Sequence, residues 1–453
     1  MKVVIAGCGE VGRAIASHMV QEGFNVVVID ESAEALAKLS ETLDVQTVRG
    51  RGSRPSIQEE AGMADAELLI AVTADDEINL MTCQVAHALY QTPKKIARVR
   101  APSYLKLIEQ HLMNPQSMAV DMIISPEREV AAAIERTLQV PGAFDAYDFA
   151  GGAVQLVGVK VSERSRILGE KMSRWGFLKV PFHAVSLVRK DRMIVPEGSD
   201  RLEVGDELYM AVRPADLPAA LDMLGKVEPP VRDALIVGGG NVGFNLCKSL
   251  EAQGINLRVL ERDMERAEFL AKELTHTTVL QGDALDSRLL GQENMQNMDV
   301  VLCVTSDDSA NIIASVMARQ AGVPSVLTLV HKNDFITLAE GVGLERIISP
   351  RQITVSRILQ HIRRGAVADV HTLRDGLAEV LEFEVRGGTA VVGQTLAHVG
   401  LPQGAKVVAL VRSNNTVVLP HENEHAVIHP TNRVVVFAEY HSIGAVERLF
   451  GAR

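Results

Sequence analysis

The chain has 453 residues, of which 47% are hydrophobic and 23% charged, and its formal net charge is −11. This length exceeds what one hydrophobic core supports and predicts two to four domains, while the apolar content excludes an intrinsically disordered chain. The negative charge argues against a nucleic-acid partner, because binding to phosphates requires a basic surface.

Cysteine usage and hydropathy exclude further classes of protein. The four cysteines, Cys8, Cys83, Cys247 and Cys303, lie far apart without a C-x-x-C pair, so we expect neither a structural zinc site nor a disulfide framework. The apolar run after Lys2 is interrupted at once by glycines, unlike a signal peptide. No uncharged apolar run reaches the roughly 18 residues of a membrane-spanning helix, and we therefore expect a cytoplasmic chain.

The first predicted elements are short strands that alternate with helices. The runs VVIA, VVVI, VQTV, LLIAV and KIARV are separated by helical stretches such as EALAKLSETL and NLMTCQVAHAL. This β-α-β pattern is typical of a parallel, doubly wound sheet, in which right-handed crossovers bring the loops after the strands to one ligand-binding edge. The sequence therefore predicts a Rossmann-like nucleotide-binding lobe over residues 1–126.

The loop after the first strand, GCGEVG (residues 7–12), has the dinucleotide-binding form G-x-G-x-x-G. Its first glycine permits a tight turn, its second lets the backbone approach a pyrophosphate, and its third lets the helix pack against the strand. The helix amino terminus then offers free N–H groups to phosphates. Asp30 ends the second strand 18 positions after Gly12, where it can bind a ribose diol and repel a 2′-phosphate, which favours NAD over NADP.

Two later loops of this lobe also lie on the predicted ligand edge. Residues 73–76, Thr-Ala-Asp-Asp, follow the fourth strand and fit a capping box at the start of a helix, as do residues 305–308, Thr-Ser-Asp-Asp, in the second half. Capping does not exclude a backbone contact with a nucleotide. Arg98 and Arg100 lie at the end of the fifth strand, and because arginine holds terminal phosphates, the first site is suited to ATP or ADP. Surface arginines that pair with acidic neighbours are the alternative interpretation.

The remainder of the first half has a different pattern. A helix, EREVAAAIERTL, leads to the strand-like runs AVQLVGVKV, AVSLVR and ELYMAV, which are typical of a small α+β lobe rich in antiparallel strands. We predict this connecting helix and lobe over residues 127–226. The break between the halves falls at VEPPVRD, where two prolines end any regular element.

The second half repeats the first. GGGNVG begins 231 positions after GCGEVG, Glu261 follows Asp30 by 231 positions, and Thr305 follows Thr73 by 232. The fold class is therefore α/β with a tandem duplication. It predicts a second nucleotide-binding lobe over residues 232–350, then a second connecting helix, ITVSRILQHIRR, with a second small lobe over residues 351–453.

The two halves differ after their fifth strands. Leu329 and His331 occupy the positions that Arg98 and Arg100 occupy in the first half. A neutral aliphatic side chain cannot hold a terminal phosphate as a guanidinium does. The second site therefore lacks the phosphate clamp that we predict for the first.

Two smaller differences lie in the loops after the first and third strands. Gly239 replaces Cys8, whose thiol beside a pyrophosphate could sense redox state, although we favour a tolerated small residue at this position. Asp283 replaces Arg51, so the two loops after the third strands need not hold a ligand alike.

Two enzyme motifs occur, and we expect neither to act. YQTPK, residues 90–94, has the Y-x-x-x-K spacing of short-chain dehydrogenases, which needs a continuous helix that its proline and the following strand would break. HENEH, residues 421–425, matches the H-E-x-x-H zinc motif but lies between strand-like runs, which favours a surface turn. No other candidate for substrate proton transfer emerges, and this favours a non-enzymatic protein.

The order of these motifs resembles a known family. KVVIAGCGEVG, the acid in VVVID, AVTADDEINLMTCQVAH, ARVRAPSYL, a connecting helix and a small β-rich lobe, all duplicated, are similar to the regulator of potassium conductance (RCK) domains. The resemblance covers essentially the whole chain and is closest to the peripheral subunit of bacterial Trk potassium uptake systems. It implies a cytosolic subunit on the inner face of the membrane, assembled as a homotetrameric ring on a potassium-translocating subunit of the TrkH or TrkG type.

The resemblance also implies nucleotide contacts in both lobes. NAD or NADH would bind there and gate ion flow by changing the shape of the ring. The implied contacts are Gly7, Cys8, Gly9, Glu10, Val11, Asp30, Thr73, Ala74 and Arg98 in the first lobe, and Gly238, Gly239, Gly240, Asn241, Val242, Glu261, Thr305 and Ser306 in the second. Arg100 joins the candidate contacts from its position after the fifth strand. An NAD-dependent oxidoreductase and a regulator of another potassium transporter are the alternatives at this point.

Overall fold

Nucleotide-binding and small lobes alternate along the chain in the computed structural model, which describes residues 1–107, 120–190, 192–226, 228–286, 295–362 and 367–451. The chain forms two compact units. Residues Met1–Glu129 and Pro350–His361 make the first unit, and residues Val130–Ser349 and Ile362–Arg453 make the second. Within the described ranges, no helix combines the length and the hydropathy that crossing a bilayer requires.

The first nucleotide-binding lobe contains the predicted parallel sheet. Its elements are β1 (Lys2–Ala6), α1 (Glu10–Gln21), β2 (Asn25–Asp30), α2 (Ala33–Thr42), β3 (Gln46–Arg49), α3 (Pro55–Glu60), β4 (Leu68–Ala71), α4 (Asp76–Tyr90), β5 (Lys94–Arg98), α5 (Pro102–Leu107) and β6 (Met122–Ile124). The strand order is β3-β2-β1-β4-β5-β6 and all pairs are parallel. β1 and β4 are continuous apolar runs because helices cover both faces of the sheet.

The first small lobe contains an antiparallel sheet that follows a long helix. Its elements are α6 (Pro126–Leu138), β7 (Asp145–Phe149), β8 (Val154–Lys160), β9 (Phe182–Arg189), β10 (Arg192–Ile194), β11 (Glu207–Val212) and α7 (Leu217–Met223). The strand order is β10-β9-β11-β8-β7. The predicted strands are β8, β9 and β11, whereas the edge strands β7 and β10 are short or polar and carry no clear sequence signal.

The second nucleotide-binding lobe repeats the topology of the first. Its elements are β12 (Asp233–Val237), α8 (Asn241–Ala252), β13 (Asn256–Glu261), α9 (Met264–Glu273), β14 (Thr278–Gln281), β15 (Val300–Cys303), α10 (Asp308–Gln320), β16 (Ser325–Leu329), α11 (Asn333–Gly341) and β17 (Arg346–Ile348). The strand order, β14-β13-β12-β15-β16-β17, matches that of the first lobe strand by strand. The predicted duplication is confirmed.

The second small lobe likewise repeats the antiparallel sheet. Its elements are α12 (Pro350–Ile362), β18 (Val367–Leu373), β19 (Ala378–Glu384), β20 (Ala405–Val411), β21 (Val417–Val418), β22 (Arg433–Glu439) and α13 (Ile443–Leu449). The strand order is β18-β19-β22-β20-β21. The α/β fold class with two kinds of lobe is therefore confirmed.

The sheets of the two small lobes pack against each other within the second unit. Their shared core contains Phe149, Val185 and Tyr209 from the first sheet and Val380 and Phe437 from the second, each at most 2% exposed. Burial of this continuous apolar surface stabilises the pair of sheets. The duplicated small lobes thus form one β sandwich with a common interior.

Each connecting helix packs with the nucleotide-binding lobe of the other half. In the first unit, Lys94 Nζ at the start of β5 donates to the carbonyl oxygen of His361 in α12, at 3.2 Å. In the second unit, Ser249 Oγ in α8 donates to Glu135 in α6, at 2.7 Å. Each half therefore contributes its connecting helix to the nucleotide-binding lobe of the other half. Local sequence patterns do not encode this exchange.

Candidate functional site

Both glycine loops begin with a glycine that the fold requires. The φ angles of Gly7 and Gly238 are +113° and +105°, in the region that side chains with a Cβ rarely adopt. A Cβ at either position would also lie 2.9 Å from the backbone nitrogen of Thr73 or Thr305. The turn from the first strand of each lobe into its helix therefore accepts only glycine.

The second glycine of each loop faces open space. A Cβ on Gly9 or Gly240 would meet no atom within 4 Å. Both are helix N-cap residues without a side-chain cap, so the first N–H groups of α1 and α8 have no side-chain acceptor. This arrangement leaves room and hydrogen-bond donors for a phosphate group.

An acidic side chain is fixed beside each loop. The Asp30 carboxylate at the end of β2 accepts hydrogen bonds from the backbone nitrogen atoms of Cys8, at 2.6 Å, and Ser32, at 2.8 Å. The Glu261 carboxylate at the end of β13 accepts from those of Gly239 and Asp263, both at 2.8 Å. The two carboxylates thus occupy matching positions, as the equal sequence offsets predict.

The difference between Cys8 and Gly239 has a packing explanation. Cys8 is 3% exposed, and its thiol donates to the carbonyl oxygen of Ala35 at 3.4 Å. A side chain on Gly239 would collide with Leu270. Burial, followed by the charge of Asp30, raises the pKa of the Cys8 thiol, which disfavours the reactive thiolate and agrees with a small packed residue rather than a redox sensor.

The capping prediction for the loops after β4 and β15 was wrong in detail. The N-cap residues are Asp75 and Asp307, whose carboxylates accept hydrogen bonds from first-turn nitrogen atoms of α4 and α10. Thr73 instead donates from its hydroxyl to Asn79 Oδ1 at 2.7 Å, and Thr305 to Asn311 at 2.6 Å. The buried asparagine amide binds the threonine hydroxyl. The aspartate two positions after the threonine therefore caps the helix instead.

Asn79 and Asn311 join neighbouring loops at the ligand edge, and sequence reasoning assigned them no role. Asn79 Nδ2 donates to the carbonyl oxygens of Thr73, at 3.1 Å, and Arg98, at 3.0 Å. Asn311 makes the same pair of bonds to Thr305 and Leu329, both at 2.9 Å. Both amides are fully buried. Their shared spacing from the threonine was the signal that could have identified them.

The predicted arginine pair lies at the same edge. Arg98 Nε is buried without a hydrogen-bond partner among the described residues, and burial followed by the charge of Arg100 lowers the pKa of Arg98. Arg100 donates from Nη2 to the carbonyl oxygen of Ala74. Neither guanidinium has a carboxylate within 4 Å in the described part of the chain, so this structure does not contain the acidic pairing of the alternative interpretation.

The matching edge of the second lobe is closed by a different contact. Asp308 accepts from the backbone nitrogen of His331 at 2.9 Å and contacts its ring Nδ1 at 2.7 Å. In the first lobe, the corresponding Asp76 accepts only from the backbone nitrogen atoms of Arg100 and Ala101. The side chain of His331 is therefore held by a carboxylate, whereas the side chain of Arg100 has no carboxylate partner among the described residues.

Arg266, in the first turn of α9, is a residue of the second site that sequence reasoning missed. Its Nε donates to the carbonyl oxygen of Gly239 at 2.7 Å, and its guanidinium lies 4.7 Å from the ring centroid of Phe269. Its buried Nη2 has no hydrogen-bond partner among the described residues. The offset of 231 aligns Arg266 with Ala35, so a comparison of the halves could have found this cation.

The loops after the third strands also differ, as their sequences predict. Arg51 forms an exposed ion pair with Glu31, with 2.9 Å between Nε and Oε1. Asp283 instead accepts from the backbone nitrogen of Leu285 at 2.9 Å. The loop after the third strand therefore carries a cation in the first lobe. In the second lobe the same loop carries a carboxylate that accepts from its own backbone.

Comparison with known proteins assigns this duplicated geometry to a family. The TrkA-N domain model matches residues 3–126 and 234–350, and the TrkA-C domain model matches residues 380–451. The chain is 37% identical over 459 residues to the Trk system potassium uptake protein TrkA of Halomonas elongata, which covers 99% of this chain and 98% of that protein. The chain belongs to the TrkA family. The TrkA protein of Azorhizobium caulinodans is 36% identical over 455 residues, with the same coverage.

Solved structures agree with the family assignment at the level of the fold. The GsuK RCK domain covers 100% of this chain and 95% of its own, with a TM-score of 0.61 and 17% identity. The GsuK channel bound to NAD covers 100% and 79%, with a TM-score of 0.60 and 16% identity. As a member of the TrkA family, the chain is a non-enzymatic regulatory protein of potassium transport.

The two enzyme-like motifs have the structures that the sequence predicts for them. Helix α4 ends at Tyr90, Gln91 adopts a left-handed conformation, and Lys94 begins β5, so Tyr90 and Lys94 do not share a helix. HENEH lies in turns after β21, and the His421 ring stacks on His183 with centroids 5.7 Å apart. The predicted turn at HENEH and the predicted helix break at YQTPK are confirmed.

Proposed function

We propose that the chain is a nucleotide-sensing subunit that gates a membrane potassium uptake channel or transporter. The observation that carries this proposal is the pair of glycine loops, each with an open second glycine and a fixed carboxylate, in a chain of the TrkA family. Gating of this kind needs only a ligand that binds one conformation of the protein better than another.

NAD or NADH is the ligand that we propose for both lobes. Asp30 and Glu261 each retain acceptor capacity beyond their two backbone hydrogen bonds, which suits a ribose diol. Gly9 and Gly240 leave the space that a pyrophosphate requires. NAD in the GsuK channel, which shares the fold, supports this choice.

ATP or ADP is a second ligand that we propose for the first lobe alone. At its edge, neither Arg98 nor Arg100 has a carboxylate partner among the residues that the structure describes, an arrangement that an anion would stabilise. At the matching edge of the second lobe His331 is already paired with Asp308.

Calorimetric titration of NAD⁺, NADH, ATP and ADP into the purified chain tests these assignments. We expect Asp30→Ala to abolish NAD binding at one site and Glu261→Ala at the other, because each removes the ribose acceptor. Asp44→Ala removes an exposed carboxylate of the same lobe and is the matched control. Two unchanged NAD sites in both carboxylate variants, or oxidation of NADH coupled to a small substrate, would overturn the proposal.

We further propose that four chains form a ring on the cytoplasmic face of a TrkH- or TrkG-type subunit. The names of the relatives support an uptake system rather than an efflux system. Size-exclusion chromatography with light scattering should give the mass of a tetramer, and potassium uptake by cells that lack the endogenous regulator should be restored by the wild-type chain. A monomeric mass at micromolar concentration contradicts the ring.

A further inference from the structure

A cavity of about 430 Å³ lies in the second unit, away from both glycine loops. It is bounded by the amino ends of β16 and β17 and by segments of the first small lobe next to β7, β8 and α7. Parallel strands of the second nucleotide-binding lobe begin at this edge, whereas the glycine loop lies at the opposite, carboxyl edge. The cavity is therefore separate from the nucleotide site, and its volume is that of a small-molecule site.

Cations outnumber carboxylates around this cavity. Four cationic residues, Lys160, Lys226, Arg319 and Arg346, line it together with two acidic residues, Glu228 and Glu345. The lining thus has an excess of two positive charges in a chain whose net charge is −11. Because the chain as a whole repels anions, this local field is specific to the cavity.

The two carboxylates leave part of this positive charge without a partner. Glu345 lies 3.6 Å from Lys160 Nζ and 4.0 Å from Lys226 Nζ, so one acidic group serves two ammonium groups. Glu228 lies 3.3 Å from Arg346 Nη2. Arg319 donates to the carbonyl oxygen of Gly343 and has no carboxylate within 4 Å in the described ranges.

Burial and access at the cavity suit a ligand from solution. The Arg346 side chain is 9% exposed and is held by Ser325 Oγ and by Glu228, so it forms a fixed floor. The side chains of Lys160 and Glu345 are 38% and 48% exposed, so the cavity opens to solvent. Apolar side chains, among them Phe144 and Leu344, complete the wall.

The first half has different side chains at the edge where the second half has this cavity. At the equivalent edge Lys95 is paired with Asp121, at 2.9 Å, and Lys94 is bonded to His361 of α12. Met122 begins β6 where Arg346 begins β17. At this edge the first lobe therefore carries two lysines that are bonded within their own unit, in place of the cationic lining of the second lobe.

We propose that this cavity binds a small anionic ligand with at least two negative charges, of which diphosphate is the simplest representative. Lys160 and Arg319 supply the charges that no carboxylate neutralises fully, and Arg346 supplies the fixed guanidinium. Because the cavity joins the first small lobe to the second nucleotide-binding lobe within one unit, the ligand stabilises their present arrangement and so acts as an effector. This inference goes beyond the nucleotide sites and does not depend on them.

Calorimetric titration of inorganic pyrophosphate at fixed ionic strength tests the proposal on the full-length chain. We expect one site per chain whose affinity falls at least tenfold in Lys160→Gln/Arg319→Gln. The control variant, Lys171→Gln/Lys272→Gln, removes the same charge from exposed positions outside the cavity and should change the affinity less than twofold. Equal losses of pyrophosphate affinity in both double variants would show that only the overall charge of the chain matters. That result would overturn the proposal.

A third variant changes affinity in the opposite direction and cannot be explained by misfolding. Glu345→Gln removes the carboxylate shared by Lys160 and Lys226, and we expect it to bind pyrophosphate at least threefold more tightly. The titrations are repeated with excess NAD present. Pyrophosphate binding that NAD abolishes would place the ion in a glycine loop and sink the cavity assignment, whether or not the proposed nucleotide function holds.

Discussion

Asn79 and Asn311 illustrate how single buried residues define the candidate site. Each amide accepts from a threonine and donates to carbonyl oxygens of two loops, so the loops after the fourth and fifth strands of each lobe are fixed relative to one another. A polar group buried without partners costs free energy, and here every partner is a group of the ligand edge. The geometry of that edge therefore depends on an amide that contacts no predicted ligand.

Replacement of Asn79 by alanine should lower the free energy of unfolding by about 1–3 kcal/mol, because the backbone N–H of Thr73 and the carbonyl of Arg98 lose buried partners. Urea denaturation followed by circular dichroism measures this change. Asn25→Ala, at an exposed position of the same lobe, is the control. Equal stability of the two variants would show that the amide does not hold the loops.

The carboxyl group of Asp145 should make the free energy of unfolding depend on pH. Burial raises the pKa of its carboxyl from 3.8 to about 6. Between these values the folded protein binds more protons than the unfolded chain, so the free energy of unfolding decreases as pH rises from about 4 to about 6. Above that range the carboxylate stays ionised, and its buried charge continues to lower the free energy of unfolding.

Asp145→Asn should therefore raise stability at pH 7.5 by about 1–2 kcal/mol and leave it nearly unchanged at pH 4. Thermal and urea unfolding at the two pH values provide the measurement. Asp148→Asn, on the same strand but exposed, is the matched control. A stabilisation of equal size at both pH values would contradict an origin in the titration of Asp145.

At the scale of elements, the paired small-lobe sheets bring cationic groups together. His183 on β9 is 8% exposed and stacks on His421, while Lys406 Nζ on β20 donates to the carbonyl oxygens of Ala184 and Pro196 at 3.1 and 3.2 Å. Burial lowers the pKa of Lys406 to about 8, and burial together with the charges of Lys406 and His421 lowers that of His183 well below 6.5. The contact between the sheets therefore favours neutral histidine.

Acid should weaken this contact. As pH falls below about 6.5 the unfolded chain binds a proton that folded His183 resists, so the free energy of unfolding decreases. His183→Gln removes this titration. We therefore expect the melting temperature of this variant to fall less than that of the wild type when the pH is lowered from 7.5 to 5.5. His429→Gln, at an exposed position, is the control. If both variants change the pH dependence of the melting temperature equally, His183 is not its cause.

At the scale of the whole molecule, duplication has been followed by divergence. The glycine loops, carboxylates and asparagines are retained in both lobes, whereas Arg98 and Arg100 have no counterpart and Arg266 is found only in the second lobe. The cationic cavity adjoins the second nucleotide-binding lobe. Two sites of the same backbone geometry thus present different charges to a ligand.

This asymmetry predicts unequal phosphate recognition. Arg98→Gln/Arg100→Gln should weaken ATP binding at least tenfold and NAD binding much less, because terminal phosphates lose two guanidinium groups. Calorimetry of both nucleotides measures the difference, with Arg54→Gln, exposed in the same lobe, as a control. Parallel losses for ATP and NAD would contradict a clamp specific for terminal phosphates.

Much of the fold could be predicted from local sequence. Apolar runs such as VVVID form buried strands because both sheet faces are covered, and the two glycine loops turn where a positive φ is required. The edge strands β7 and β18 could not be predicted, because polar residues interrupt the apolar pattern of Asp145–Phe149 and Val367–Leu373. The N-caps were misassigned because Asn79 and Asn311, six residues beyond each threonine, compete for its hydroxyl.

The sequence by itself determined the duplication, the alternation of strands and helices in the nucleotide-binding lobes, and the pairing of each glycine loop with an acid, since these follow from spacing and periodicity along the chain. Only the tertiary structure decided which helix packs with which lobe, which arginines have carboxylate partners, and where a cationic cavity opens. The helix exchange and the cavity depend on contacts between residues that are far apart in the sequence, such as Glu135 with Ser249 and Lys160 with Glu345. Local patterns carry no information about such contacts, because packing of whole elements creates them.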